Sequence, residues 1–132
     1  MSDILNIGKV IKYLIENDED AMGALGENSV WPLVANEATA YPFVGYARKS
    51  VQLAGSKDGP QYSSIAYVDV AVLSDNYQAG LSIASLVRKA LEDKCGSICG
   101  FEVEEIRLED AIEWFEDDVF IQNLTYKIEI ES

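Results

Sequence analysis

The residues of this chain that could do chemistry are carboxylates and two thiols. Glu113, Glu116, Asp117 and Asp118 crowd one short segment. Two carboxylates work as general acid and base only when one is desolvated and its pKa rises. This run is densely charged and reads as exposed. Asn17, Asp18, Glu19 and Asp20 form a second acidic cluster, but the D-x-[DN]-x-[DN]-G-x5-E spacing of a calcium loop is missing. That cluster reads as a solvated turn opening a short helix. Cys95 and Cys99 stand as C-x-x-x-C, and a zinc site needs a second pair or histidines. The spacing favours two reduced, partly buried thiols over a small disulfide loop.

The chain has no histidine. This removes Ser-His, Cys-His and His-metal arrangements together. Its nine glycines are scattered and form neither G-x-G-x-x-G nor a Walker sequence. The expectation is a protein that is not an enzyme, with no catalytic residue, no cofactor and no metal.

The 132 residues suit one domain spanning 1–132, and a hydrophobic fraction of 48% is ordinary for a globular chain. No apolar run approaches the roughly 20 residues that span a bilayer. The opening MSDILNIGKVIKYL lacks the charge, apolar block and cleavage site of a signal peptide, so a cytoplasmic site of synthesis and use is expected. The net charge is −13. Residues 1–91 hold ten acidic and seven basic side chains, a net of −3; residues 92–132 hold thirteen and three, a net of −10. Such a field repels nucleic acid and anionic membranes. It fits a basic protein partner, a surface past which anions slide, or simple solubility.

Periodicity supplies the scaffold. Ile4, Ile7, Ile11, Leu14 and Ile15 form the apolar stripe of a helix over about 4–16, capped by Ser2 or Asp3, with Lys9, Lys12 and Glu16 toward water. A helical turn runs on to Leu25, with Gly26 behind it. Val30 and Trp31 are extended, ended by Pro32. Strands follow over 43–53 and 64–73, antiparallel across a turn at 55–60. In the second, Ala66, Val68, Val70 and Val72 share the buried face, and Asp69 points the other way. A long helix is opened by Asp75 with Gln78 as a capping pair. Arg88, Lys89 and Lys94 close it, and Gly96 stops it.

Phe101 and Val103 have one parity, Ile106 and Leu108 the other, which implies a bulge or a strand starting near Glu104. Residues 109–118 read as extended, with a turn at Asp117-Asp118. Leu124, Tyr126, Ile128 and Ile130 alternate with Thr125, Lys127, Glu129 and Glu131 in a final half-buried strand. The fold class expected is α+β: an antiparallel or mixed sheet of four to five strands with two main helices on one face.

Several of these pieces, in this order, resemble the tail-completion proteins of long-tailed bacteriophages and prophages, also called tail terminators or head–tail joining proteins. The resemblance rests on Val30-Trp31-Pro32, on the YPFVGY segment at 41–46, on YVDVAVLSDNYQAGLSIASLVRKAL at 67–91, and on the closing strand 124–130. The acidic stretch 109–118 with Trp114 has no counterpart in that pattern. The resemblance implies a structural virion protein that caps the tail tube as a ring, usually of six subunits, and docks the head. Its implied partners are further copies of itself, the tail tube protein and the head–tail connector protein, with no direct nucleic-acid binding and no membrane. Its implied location is the virion tail, and the host cytoplasm during assembly.

Aromatic residues beside charged or loop segments often anchor interfaces. We therefore take Leu53, Lys57, Asp58, Tyr62, Trp114 and Phe115 as the candidate partner interface, with 53–62 facing the tail tube. Trp114 and Phe115 suit a core equally well on sequence grounds. Edge strands near Pro42 or the C-terminus are expected to join neighbouring copies. The alternative function is an acidic mimic of nucleic acid that inhibits a DNA-binding enzyme, supported by the charge of residues 92–132.

Overall fold

The computed structural model describes residues 3–33, 39–53 and 63–131. Their elements are a 3-10 turn (Ile4–Asn6), α1 (Gly8–Glu16), α2 (Glu19–Leu25), β1 (Val30–Pro32), β2 (Phe43–Gln52), β3 (Ser64–Ser74), α3 (Tyr77–Leu91), β4 (Gly96–Ile98), β5 (Phe101–Glu116) and β6 (Val119–Ile130). The sheet has six strands in the order β1-β2-β3-β6-β5-β4. Only the β1–β2 pair is parallel. The fold is thus mixed α+β with three helices.

Alternation decides what each strand buries. Ala66, Val68, Val70 and Val72 face the helices from β3, and Leu124, Tyr126, Ile128 and Ile130 do so from β6. With Ile7, Val10, Ile11 and Ile15 of the N-terminal segment and Ile83, Val87 and Leu91 of α3, they form one hydrophobic cluster. Burial of these branched side chains stabilises the fold by about 1.5–3 kcal/mol each.

Several expectations need correction. The sheet has six strands, not four to five, because Gly96 does not only stop a helix. With φ at 104° it turns the chain straight into β4, which pairs with Phe101–Val103. The first helix is broken: a 3-10 turn capped by Asp3, which accepts from the Leu5 amide at 3.0 Å, precedes α1. Ile7 sits at that junction, and Val10 joins the buried stripe.

The cap of α3 is Asn76, not Asp75. Ser74 Oγ accepts from the Asn76 amide at 3.1 Å, which delays the helix by one residue, and Asn76 Oδ1 accepts from Ala79 at 2.9 Å. The helix ends at Leu91, so Lys94 lies beyond it. Cys95 is exposed and only Cys99 is half-buried, because both follow the helix on the β4 connection.

The final strand β6 is not an edge. It lies between β3 and β5, and the edge strands are β1 and β4. Other expectations hold: β2 and β3 are antiparallel, a bulge lies between Val103 and Glu105, and 109–116 is extended. A further bulge lies between Leu108 and Asp110.

Candidate interaction surface

The two-residue turn at Asp117-Asp118 builds the tip of the β5–β6 hairpin. Both residues have positive φ, 53° and 63°, as a hairpin turn of this length requires. Aspartate tolerates that conformation better than most side chains. With the turn fixed, Glu116 pairs with Val119, Phe115 with Phe120, Trp114 with Ile121 and Glu113 with Gln122.

The helix-facing side of the tip is pinned to the start of α3. Tyr77 Oη donates to both carboxylate oxygens of Glu113, at 2.9 and 3.1 Å, and Gln122 Nε2 donates to Oε1 at 2.8 Å. The Phe120 ring meets Phe115 at 4.7 Å between centroids and Tyr77 edge-on at 5.7 Å. The Gln122 bond, then the Tyr77 bond, hold the Glu113 carboxyl below its ordinary pKa. The bond to Glu113 raises the Tyr77 phenol, with burial adding to it.

The sign for stability follows. A carboxylate with a lowered folded pKa stabilises the native tip above its ordinary value and loses that contribution as pH falls through the folded value. The tip is therefore expected to loosen below about pH 4.5, before the sheet centre. Proton NMR of the Trp114 indole checks this; a signal unmoved down to the global acid transition would contradict it.

The other side of the tip is uncovered. Ile112 is 52% exposed there and Trp114 41%, while Phe115, on the helix-facing side, is 57% exposed beyond its contact with Phe120. Trp114 borders a shallow depression on the helix-free face of the sheet, lined also by Leu33, Ala47, Ala71, Leu73 and Ile121. Asp69 lies within it, half-buried, and its Oδ1 accepts from Thr125 Oγ1 at 2.6 Å and from Asn123 Nδ2 at 3.4 Å. Asp69 thus points away from the core, as alternation requires, and is held by its own sheet.

Of the candidate interface residues, Trp114 and Phe115 are exposed, which removes the core reading for them. Leu53, just past β2, is 71% exposed. Lys57, Asp58 and Tyr62 lie outside the described residues. Within one chain Leu53 and the aromatic tip do not meet. Gln52 pairs with Ile65, while Trp114 pairs with Ile121, which pairs with Leu73. Ile65 and Leu73 are about 27 Å apart along β3 at ~3.4 Å per residue.

The sequence reading missed Ile112 and the depression. The shared parity of Ile112 and Trp114 was the available signal. The Tyr77–Glu113 contact joins elements 36 positions apart and had none. Glu116, Asp117 and Asp118 are exposed, and Glu113 serves the structural pairings above. Among the described residues, no group of three or more Cys, Asp or Glu is placed to hold a metal ion.

A six-stranded mixed sheet with helices on one face defines this as an α+β fold. Solved structures share it. A chain described as "Virion of native gene transfer agent (GTA) particle" superposes with a TM-score of 0.80 at 16% identity, covering 93% of this chain and 92% of that one. A second solved chain gives 0.65 at 11% identity, covering 100% and 97%. At these identities the fold is what is shared. No protein-family model and no curated protein matches the chain.

Proposed function

We propose that this protein is a structural component of a phage-like virion, that it is not an enzyme, and that it closes the tail tube and joins it to the head as a ring. The superposition over 93% of the chain on a protein of a virion particle carries this reading. The sequence resemblance to tail-completion proteins gives its finer part. The partners are further copies of the chain, the tail tube protein and the head–tail connector. The partner surface is Leu53, Trp114 and Phe115, extended by Ile112, together with Lys57, Asp58 and Tyr62, which lie outside the described residues. The net charge of −13 suits a ring through which phosphates slide without binding.

Deletion of the gene from its phage or prophage is the test. Electron microscopy is expected to show full heads beside unjoined or overlong tails. Joined particles of normal length would remove the reading. One observation favours the acidic-mimic alternative: Glu105, Glu109, Asp110, Glu113 and Glu116 are spaced along a single strand. Inhibition of a nuclease by micromolar protein would bring that alternative forward.

A further inference from the structure

Two stretches of sheet edge in this chain lack a strand partner among the described residues, and they are opposite in charge. On β2, β1 covers only Val44–Tyr46, so among the described residues Ala47–Gln52 has no strand partner on that side. On β5, β4 covers only Phe101–Val103. The part of β5 next to β4 is broken by the two bulges, whereas Asp110–Glu116 runs in unbroken register to the turn. Ala47–Gln52 carries Arg48 and Lys49 and no acid. Ala111–Asp118 carries Glu113, Glu116, Asp117 and Asp118 and no base.

Resting on the ring reading above, we propose that the hairpin tip of one copy, Ala111–Glu116, adds as an antiparallel strand to Ala47–Gln52 of the next.

Strand direction allows it. β2, β3, β6 and β5 alternate in direction, so β5 of one copy beside β2 of another is antiparallel when the sheet continues. Length allows it as well. β1 fills the β2 edge up to Tyr46, so an incoming strand must stop there, and the Asp117-Asp118 turn stops β5 after Glu116. The incoming tip then extends the line of β1 along β2. Lys49, the extra residue of the bulge in β2, has no partner on β3 and sits within this slot.

Charge selects the pairing. An exposed apolar edge such as Ala111–Glu116 invites indiscriminate strand addition. Its carboxylates oppose tip-to-tip contact and favour the basic slot. The two edges lie on opposite sides of the sheet, so the contact is heterologous, the type that closes rings. The pairing also brings Ile112 of one copy toward Leu53 of the next, joining what a single chain holds apart.

The test supplies variants to particles whose own gene is deleted. The tip variant carries Glu116→Lys, Asp117→Asn and Asp118→Gly, the last two making a favourable hairpin turn. The slot variant carries Lys49→Glu and Ser50→Glu. Each alone is expected to cut joined particles by about tenfold or more, by placing like charges together. Supplied together, they pair tip to slot in alternation and restore most of the yield, which also proves that both fold. Normal joining with either variant alone would overturn the proposal. So would failure of the mixture when each variant melts at the wild-type temperature. Joined particles with no copy of the gene supplied would instead remove the joining reading itself.

Discussion

Tyr126→Ala is expected to destabilise the fold by about 3–5 kcal/mol, and Tyr126→Phe to stabilise it by about 1 kcal/mol. Tyr126 heads the fully buried side chains by size. It lies at the centre of the sheet, paired with Val68 on one side and Leu108 on the other. Truncation leaves a cavity that β3 and β5 cannot close without leaving register. The hydroxyl acts in the opposite direction. Among the described residues it is buried with no hydrogen-bond partner, and a buried unpaired polar group costs about 1–3 kcal/mol. Burial raises the phenol pKa strongly, although Arg88 opposes the shift. Phenylalanine keeps the ring and removes the orphaned oxygen. Urea denaturation of both variants checks the opposite signs, and a loss of stability in Tyr126→Phe would mean that the hydroxyl is satisfied after all.

Trp114→Ala combined with Phe115→Ala is expected to lower the yield of joined particles by about 30-fold or more while changing stability by about 1 kcal/mol. Buried aromatic anchors of interfaces contribute about 2 kcal/mol or more each, and every 1.4 kcal/mol is about tenfold in association. The cost to the isolated chain is limited because Phe115 is more than half exposed and Trp114 is 41% exposed. Its main source is the Phe115–Phe120 contact, a type worth about 0.5–1.5 kcal/mol. Particle counts by microscopy beside a thermal melt of the purified variant separate the two effects. Unchanged joining would take the tip out of the partner surface.

The strands were legible wherever one face is buried. The period-two patterns of β3 and β6 are written in Val68, Val70, Tyr126 and Ile128, because a slip of one residue would turn all of them to water. The change of parity after Val103 left a bulge or a late strand start, and only the register with β6 decides for the bulge. Short elements were not. β4 is three residues, Gly96–Ile98, and carries no repeat from which a period can be read. The cap of α3 depended on Ser74 holding the Asn76 amide, a contact invisible until the turn exists. Strand order was hidden for a topological reason. A clean final strand reads equally well as edge or centre, and only the pairing of β6 with both β3 and β5 decides. The candidate surface was half legible. The aromatic pair in the acidic segment was visible, but its separation from Leu53 depends on register.

The central position of β6 sets a timetable for synthesis. Five of the six strands are translated before the middle one exists, and β3 and β5 each wait with a side meant for a neighbour not yet made. Translation adds about 5–20 residues per second, so β3, some fifty residues upstream, faces the cytosol unpaired for several seconds. Its apolar residues are then open to wrong partners, including the same strand on nearby ribosomes. Contacts that close such long loops also form slowly. Production of this protein should therefore be more sensitive to growth temperature and to chaperone supply than the stability of the finished fold suggests.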